Sequence, residues 1–279
     1  MKRAHYFIPA AGGLFCTLCP HACRIAPGGR GICRARENRD GELIAVHYGF
    51  VSSLALDPIE KKPLRRFHPG TQILSLGGYG CNLRCPFCQN HGISLEYDSE
   101  DGETLSPEDV LDMARRTLPQ GNIGLAYTYN EPLINYEFVH DCARLIHAAG
   151  LKNVLVTNGY INREPLLALM PYIDAMNIDL KAFSEDFYAR LGGRLDPVLH
   201  TIRLAHEHCH VEVTTLVIEG ENDGDIEEIA SWLADLSPDI PLHLPPFYPR
   251  YQYADKAATR PQTLRRLREV ARAHMNHVY

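Results

Sequence analysis

The stretch that decides the fold is residues 73–92, Ile-Leu-Ser-Leu-Gly-Gly-Tyr-Gly-Cys-Asn-Leu-Arg-Cys-Pro-Phe-Cys-Gln-Asn-His-Gly. Its short apolar run predicts a buried strand, which ends in a glycine-rich turn. Cys81, Cys85 and Cys88 follow in C-x3-C-x2-C spacing on a loop, where three thiolates can converge on one object. A four-iron cluster takes four ligands, so three thiolates would leave one iron open to bind another molecule.

This spacing, with the aromatic Phe87 just before the last cysteine, resembles the signature of the radical S-adenosylmethionine (SAM) enzymes. The resemblance implies a [4Fe-4S] cluster on Cys81, Cys85 and Cys88, with SAM chelating the open iron. It also implies reductive cleavage of SAM to a 5′-deoxyadenosyl radical that abstracts hydrogen. An external one-electron donor, ferredoxin or flavodoxin, is then required, because no flavin or nicotinamide site is recognisable in the sequence.

A zinc knuckle is the alternative for the same loop. His91 stands three residues after Cys88, and three cysteines with one histidine are a known structural zinc set. The glycines of the strand exit, Gly78 among them, favour the cluster, because they let backbone N–H groups approach a ligand and zinc does not need them.

A second group of cysteines lies near the start of the chain at Cys16, Cys19, Cys23 and Cys33. Four thiolates in so short a segment form a closed ligand set. A structural zinc site, an auxiliary iron–sulfur cluster and a group of free thiols all fit this spacing. Since seven of the nine cysteines fall in two tight groups, we expect metal ligands in a reducing compartment and no disulfides.

Beyond the cysteine loop, strand and helix patterns alternate, which predicts a parallel sheet with crossover helices. The strands are expected at Ile73–Leu76, Ile123–Tyr127, Val154–Thr157, Ala175–Asp179, Val211–Val217 and Leu242–Phe247. Helices are expected from a cap at Ser106, and at 133–149, 162–170, 184–191, 197–208, 225–236 and 261–275. The fold class is therefore α/β, a partial (β/α)6 barrel over residues 71–279. The cysteine-rich extension, residues 1–70, is expected to contain a β-hairpin over Leu43–Glu60.

Unusual polar residues follow the strands, and barrel chemistry is built at the carboxyl ends of strands. They are Tyr129, Asn130 and Glu131 after the second strand, Asn158 after the third, Asp179 and Lys181 after the fourth, and His243, Phe247 and Tyr248 on or after the sixth. By the resemblance, Glu131 holds the SAM amino group. The plainer interpretation is that Asn130 caps the next helix and Glu131 complements its dipole.

Thr157-Asn158-Gly159 and Asp179-Leu180-Lys181 are similar to segments of the glycyl-radical-enzyme activases, the branch of pyruvate formate-lyase activating enzymes. That similarity implies that Asn158 and Lys181 line the SAM and substrate cleft. Val156, Thr214 and Tyr248 stand where the activases have an acid, an arginine and a histidine. The sequence as a whole, including residues 57–64, most resembles the radical SAM enzymes of the AmmeMemoRadiSam system.

The sequence leaves the substrate open between a protein glycine and a small molecule. A hypothesis of another class is a non-catalytic zinc or iron–sulfur scaffold. The net charge of −6 and a pI near 6.1 argue against a nucleic-acid surface, and the basic cluster Lys61, Lys62, Arg65 and Arg66 is interpreted as a solvated face. No apolar run is long enough to span a membrane, and we expect the protein to be cytoplasmic. We also expect it to be a monomer. The last residues, His277-Val278-Tyr279, resemble the start of a further strand.

Overall fold

The computed structural model describes residues 2–97 and 102–279. Its strands, numbered in chain order, are β1 (Lys2–Arg3), β2 (Phe7–Ala10), β3 (Gly13–Cys16), β4 (Arg24–Ile25), β5 (Arg36–Arg39), β6 (Glu42–Ala45), β7 (Phe50–Val51), β8 (Ser53–Pro58), β9 (Gln72–Gly77), β10 (Glu103–Thr104), β11 (Asn122–Tyr127), β12 (Lys152–Thr157), β13 (Ala175–Asp179), β14 (His210–Thr214) and β15 (Leu242–His243). Its α-helices are α1 (His91–Ser94), α2 (Pro107–Arg116), α3 (Tyr136–Ala148), α4 (Arg163–Leu169), α5 (Glu185–Arg190), α6 (Leu195–His206), α7 (Ile226–Leu236) and α8 (Pro261–Arg272). Short 3-10 turns lie at Ile59–Lys61, Leu118–Gln120, Pro132–Asn135, Met170–Tyr172, Asp223–Asp225 and Tyr251–Tyr253.

Seven strands form the central sheet, in the order β15-β14-β13-β12-β11-β9-β8. The six strands from β15 to β9 in this order are parallel, and β8 pairs antiparallel with β9 at the edge. Each parallel strand is followed along the chain by at least one helix. This repeat confirms the α/β fold and the parallel sheet expected from the alternating pattern.

Both faces of the sheet are buried, as a parallel sheet with crossover helices requires. Successive side chains on a strand point to opposite faces, so Leu125 joins the larger core that includes the helices while Ala126 joins a smaller one. Ile59 and Leu64, from the segment between β8 and β9, complete the smaller core. That segment therefore covers the second face of the sheet.

The N-terminal region forms two small antiparallel sheets, β1-β6-β5 and β2-β3-β4. It is joined to helix α3 by a fully buried ion pair in which Arg36 Nη2 donates to Glu137 Oε1 over 2.6 Å. The same carboxylate oxygen accepts a hydrogen bond from the backbone N–H of His5. These contacts fix the cysteine-rich region against the barrel.

The hairpin predicted over Leu43–Glu60 is wrong. The two runs in this segment do not pair with each other, because β6 pairs with β1 and β5, β7 pairs with β10, and β8 joins the central sheet. A strand pattern specifies which residues are extended but not which distant strand they meet. The central sheet therefore begins at Ser53, before residue 70, and the boundary at residue 70 stays a prediction about folding units.

The last two parallel strands are shorter than predicted. Strand β14 ends at Thr214 and β15 covers only Leu242–His243, with an isolated bridge between Val217 and Pro246. Proline has no N–H to donate to a strand ladder, and Pro245 and Pro246 follow Leu244 just after the end of β15. Val278 forms an isolated parallel bridge with Leu242 of β15.

Candidate active site

The carboxyl ends of the parallel strands surround a cavity of about 430 Å³. This volume lies within the roughly 300–1,000 Å³ typical of small-molecule sites. The predicted site residues that line it are Cys81, Cys85, Phe87, Cys88, Tyr129, Asn130, Glu131, Asn158, Asp179 and Lys181. The topology therefore brings to one place side chains from loops that lie up to 100 residues apart in the chain.

The cysteine loop is held close to the N-terminal region by the conformation of Gly80. This residue has a φ of +89°, and a Cβ on it would lie 2.7 Å from the Cys33 carbonyl oxygen. Cys81 Sγ accepts hydrogen bonds from the Leu83 backbone N–H (3.3 Å) and from Asn158 Nδ2 (3.5 Å). Such donors favour a thiolate, which is the form that binds a metal.

The three thiols of this loop are free and largely buried. Burial raises the pKa of Cys85 to about 11, and it also raises the pKa of Cys81 and of Cys88. The cation of Lys181 acts in the opposite direction on all three. The three thiols face the cavity, and they would lose their protons when a metal or cluster binds.

The zinc alternative with His91 is not formed. The His91 ring stacks on Tyr251 with 4.7 Å between the ring centroids, and its Nδ1 lies 3.3 Å from the Cys88 carbonyl oxygen. Across residues 2–97 and 102–279, no group of three or more His, Cys, Asp or Glu side chains can hold a single metal ion. A four-iron cluster places different demands on the thiolates, because each cysteine binds a different iron. The three cysteines would hold such a cluster, and the cavity that they line would leave room for a molecule bound to it.

Asn130 joins the glycine-rich strand exit to the second strand end. Its Oδ1 accepts a hydrogen bond from the Gly78 N–H (2.9 Å), and its Nδ2 donates to the Gly80 carbonyl oxygen (3.0 Å). The capping role suggested for Asn130 is therefore wrong. Glu131 caps the following 3-10 turn instead, by accepting from the Leu133 N–H.

Glu131 is a buried carboxylate with three hydrogen-bond donors. Besides Leu133, they are Thr157 Oγ1 at 2.7 Å and the Asn158 N–H at 2.8 Å. Burial outweighs these donors and raises the pKa of Glu131 to about 7. A carboxylate accepts about four hydrogen bonds, so one position remains for a cationic or N–H donor on a bound molecule.

Lys181 and Asp179 form an ion pair at the end of β13, with 2.9 Å between Nζ and Oδ2. Burial alone would lower the pKa of Lys181, but the charges of Asp179 and Cys85 together raise it. The side chain is therefore a permanent cation beside the cysteine loop. Such a cation can accept the carboxylate of a ligand or balance the negative charge of a thiolate-bound cluster.

The aromatic residues of the predicted site have different roles. Phe87 is buried, with ring centroids 6.1 Å from Phe187 and 5.9 Å from Tyr253, and it packs the cysteine loop onto the barrel. Tyr129 has a left-handed backbone, with φ of +71°, and its hydroxyl donates to Asp57 Oδ2 over 2.7 Å. This bond anchors the residue that precedes Asn130 and Glu131.

Lys62 is a site residue that the sequence interpretation missed. Lys61, Arg65 and Arg66 are exposed as expected, but Lys62 is only 2% exposed and lines the cavity. Its Nζ donates to Asp57 Oδ2 over 2.8 Å and lies 4.7 Å from the centroid of the Tyr129 ring. One signal was available in the sequence. Asp57 lies in the same segment, residues 57–64, and its carboxylate offers a buried lysine a charged partner.

Three residues expected at the cavity lie elsewhere. His243 Nε2 lies 2.6 Å from Glu212 Oε2. The Glu212 carboxylate is buried and also accepts hydrogen bonds from the backbone N–H groups of Arg65 and Arg66. Phe247 is buried in the larger core, and Tyr248 is 59% exposed. After β15 the chain continues beside Val217, and Pro245 from this segment lines the cavity instead.

The N-terminal cysteines form a second, separate cluster. Cys16, Cys19, Cys23 and Cys33 surround a void of about 10 Å³ that His21, Arg36 and Asn82 also line. Each pair among the four thiols interacts, since one thiol of the pair raises the pKa of the other. All four thiols are free. They converge as the sequence spacing predicts, and they leave no cavity beside them for a substrate.

The cysteine loop and the parallel sheet define a known class of protein. Residues 76–233 match the model of the radical SAM superfamily, and the chain belongs to it. It is 44% identical over 263 residues to the uncharacterized protein MJ0808 of Methanocaldococcus jannaschii, covering 92% of this chain and 77% of that one. The pyruvate formate-lyase 1-activating enzyme of Escherichia coli is 25% identical over 164 residues, which are 56% of this chain and 65% of that enzyme.

Solved structures of the same fold have lower sequence identity. QueE from Escherichia coli superposes with a TM-score of 0.54 at 17% identity, over 83% of this chain and 92% of that one. Streptococcus suis SuiB bound to S-adenosylmethionine superposes with a TM-score of 0.56 at 18% identity, over 72% of this chain and 48% of that one. Family membership implies an enzyme with a [4Fe-4S] cluster and SAM. Among the described residues, no helix is long and apolar enough to cross a membrane.

Proposed function

We propose that this protein cleaves SAM reductively at a [4Fe-4S] cluster on Cys81, Cys85 and Cys88, and uses the resulting radical to abstract hydrogen from a substrate. The observation that carries the proposal is the set of three free thiols at the carboxyl edge of the parallel sheet, open onto a cavity of about 430 Å³. When bound, such a cluster supplies the electron that splits the sulfonium into methionine and a 5′-deoxyadenosyl radical. The chain itself supplies the ligands, the orientation of SAM and a shielded cavity.

The polar residues of the cavity suit the charged end of SAM. Glu131 has one hydrogen-bonding position left and suits the amino group, and Lys181 suits the carboxylate. Asn158 links the two sides, because its N–H holds Glu131 Oε2 and its Nδ2 lies against Cys81 Sγ. Tyr129 and Asn130 fix the turn that presents Glu131, through their bonds to Asp57 and Gly78.

The proposed substrate is a protein glycine, as in the activating enzymes. The support is the pair of segments Thr157-Asn158-Gly159 and Asp179-Leu180-Lys181, together with the similarity to the Escherichia coli enzyme. A ferredoxin or flavodoxin would supply the electron. The activity, its substrate and its partners rest on this similarity.

A small-molecule substrate is the second candidate, and a specific observation favours it. Val156 and Thr214 both line the cavity, and they replace the charged residues of the activases at the two positions. A neutral wall there would not select the same peptide. The two candidates separate when deuterium-labelled molecules of each kind are supplied and the label is traced into 5′-deoxyadenosine.

The test of the activity itself is the production of 5′-deoxyadenosine from SAM by anaerobically reconstituted, dithionite-reduced protein. The wild-type chain is expected to produce it and Cys85→Ala is not. Cys209→Ala is the matched control, because Cys209 is a partly buried free thiol that lies outside both cysteine clusters. Turnover that persists in Cys85→Ala would refute the proposal, and absence of product from the wild-type chain would favour a non-catalytic scaffold.

A further inference from the structure

Lys62 is a buried ammonium on the wall of the cavity at the carboxyl edge of the sheet. Among residues 2–97 and 102–279, its Nζ has one hydrogen-bond acceptor, Asp57 Oδ2 at 2.8 Å. The same nitrogen lies over the face of the Tyr129 ring, which also lines the cavity. An ammonium has three N–H donors, so two of them remain for an acceptor that enters the cavity.

The charges around Lys62 do not balance. Asp57 accepts from Lys61 Nζ on Oδ1, and from Lys62 Nζ and the Tyr129 hydroxyl on Oδ2. Two lysines thus share one carboxylate, which leaves this group with one positive charge in excess. The Lys61 side chain is exposed and its charge is solvated, whereas the Lys62 side chain is buried. Burial lowers the pKa of Lys62 and Asp57 raises it, so a second anion beside Nζ would favour the charged form further.

The neighbours of Lys62 place it beside the neutral wall that Val156 and Thr214 form. The Pro63 carbonyl oxygen accepts from Asn177 Nδ2 (2.9 Å), and Asn177 Oδ1 accepts from Thr214 Oγ1 (3.0 Å). Val156 packs against the smaller core, which the segment between β8 and β9 completes. The neutral wall therefore lies on the face of the sheet that is covered by the segment carrying Lys62.

The cation that suits the SAM carboxylate, Lys181, is at a different place. It pairs with Asp179 at the end of β13, whereas Lys62 pairs with Asp57 on β8. Strands β13 and β8 are separated in the sheet by β12, β11 and β9. The cavity thus offers cations at two places, and the single carboxylate of SAM requires one of them.

We propose that Lys62 binds an anionic group of the substrate, a carboxylate or a phosphate, and holds the uncharged part of that substrate against the neutral wall. The inference rests on the proposed function, with its second candidate, a small-molecule substrate. A glycine within a protein chain carries no anionic group and would leave this buried cation without a further partner. A small anion presents two or more oxygens to the spare N–H donors of Lys62.

The first experiment measures anion binding by the full chain, reconstituted anaerobically with iron and sulfide and saturated with SAM, but not reduced. Sodium acetate and sodium phosphate are the probes, and sodium chloride at equal ionic strength is the reference. At least one probe should raise the unfolding midpoint of the wild-type chain saturably above the reference, because a ligand of the folded state stabilises it. A response to acetate alone assigns a carboxylate, and a response to phosphate alone assigns a phosphate.

Lys62→Met should weaken the binding of the active probe by about tenfold or more, as the loss of a hydrogen bond to a charged group does. Lys61→Met is the matched control, because Lys61 bonds to the same carboxylate from an exposed position. It should bind the probe as the wild-type chain does. No response to either probe in wild type, or equal weakening in the two variants, would overturn the proposal.

A second variant covers the case in which Lys62→Met does not fold, since that change leaves Asp57 without its buried partner. Asp57→Asn/Lys62→Met removes both charges and keeps an oxygen that can accept from the Tyr129 hydroxyl. This double variant should also lose the response to the probe. Binding at wild-type strength in the folded double variant would contradict the proposal.

The affinity for SAM separates this inference from the proposed function. Lys62→Met should bind radiolabelled SAM as tightly as wild type in equilibrium dialysis. A loss of SAM affinity in Lys62→Met would assign Lys62 to the SAM site and overturn the inference. Neither binding measurement requires turnover, so a wild-type chain that forms no 5′-deoxyadenosine would refute the proposed function and leave the anion measurement unaffected.

Discussion

The two cysteine groups of this protein differ in what surrounds them. The N-terminal group has four thiols around a void of about 10 Å³, with a buried arginine as part of its wall. The group at the barrel has three thiols that face a cavity of about 430 Å³ lined by Glu131, Asp179 and Lys181. A complete ligand set with no adjacent space suits a structural or electron-carrying centre. An incomplete set beside a charged cavity suits a catalytic one.

The largest expected effect comes from replacing one cysteine in each group. Cys88→Ala should abolish dithionite-driven formation of 5′-deoxyadenosine, because the incomplete set has no ligand to spare. Cys23→Ala should retain it, because the N-terminal group takes no part in binding SAM. The product is quantified chromatographically with both proteins at equal concentration. Equal losses in the two variants would remove the distinction between a catalytic and a non-catalytic group.

The next effect tests the charge beside the N-terminal group. Arg36→Met leaves Glu137 buried without its partner, and breaking such a pair costs about 3–5 kcal/mol of unfolding free energy. The double variant Arg36→Met/Glu137→Leu should recover much of this loss, since it removes both charges. Denaturant unfolding of the metal-free proteins measures the cost, with the exposed Arg34→Met as control. A single variant as stable as wild type would show that the buried pair does not hold the N-terminal region to α3.

A smaller effect is expected from the titration of Glu131 in the cavity. The pKa of Glu131 is raised to about 7 in the folded chain, so its contribution to stability is present below its usual pKa of 4.5 and is lost as pH rises through 7. In the metal-free protein without SAM, Glu131→Gln should therefore gain stability relative to wild type between pH 5 and 8.

Unfolding midpoints measured across that pH range for Glu131→Gln and wild type provide the check. Asp196→Asn, an exposed acidic residue on α6, is the control. A difference between Glu131→Gln and wild type that does not change with pH would mean that the carboxylate is ionised throughout the range.

The smallest effect concerns helix α2, which contains no residue of either cysteine group. Ser106 Oγ accepts from the Asp109 N–H, and Asp109 Oδ2 accepts from the Ser106 N–H, which is the capping box of α2. Ser106→Ala should cost about 1 kcal/mol, measured by thermal unfolding. Its iron content should equal that of wild type. A loss of iron would mean that general destabilisation, rather than a missing ligand, explains metal loss in the cysteine variants.

Local chemistry in the sequence predicted much of this molecule. The cap at Ser106, the alternation of strands and helices, and the positions of Glu131, Asn158 and Lys181 at strand ends all depend on residues close to one another in the chain. The structure brings those residues to one cavity because the strands of a parallel sheet share a carboxyl edge.

What could not be predicted depends on distant partners. The run Ser53–Pro58 is extended as expected, but it pairs with β9 rather than with its neighbour, and no local signal distinguishes the two. Lys62 resembles a solvated lysine until Asp57 and Tyr129 are placed around it. The convergence of the four N-terminal thiols on one void likewise depends on how the segment folds, and their spacing leaves zinc and iron–sulfur equally open.

The most direct test of the central claim is the electron paramagnetic resonance spectrum of the reduced protein with and without SAM. In Cys19→Ala/Cys33→Ala, where only the three-cysteine set remains complete, addition of SAM should change the cluster signal, because SAM binds the open iron. In the variant lacking Cys81, Cys85 and Cys88, this SAM-responsive signal should be absent. A signal at the three-cysteine set that does not respond to SAM would contradict the account of the active site.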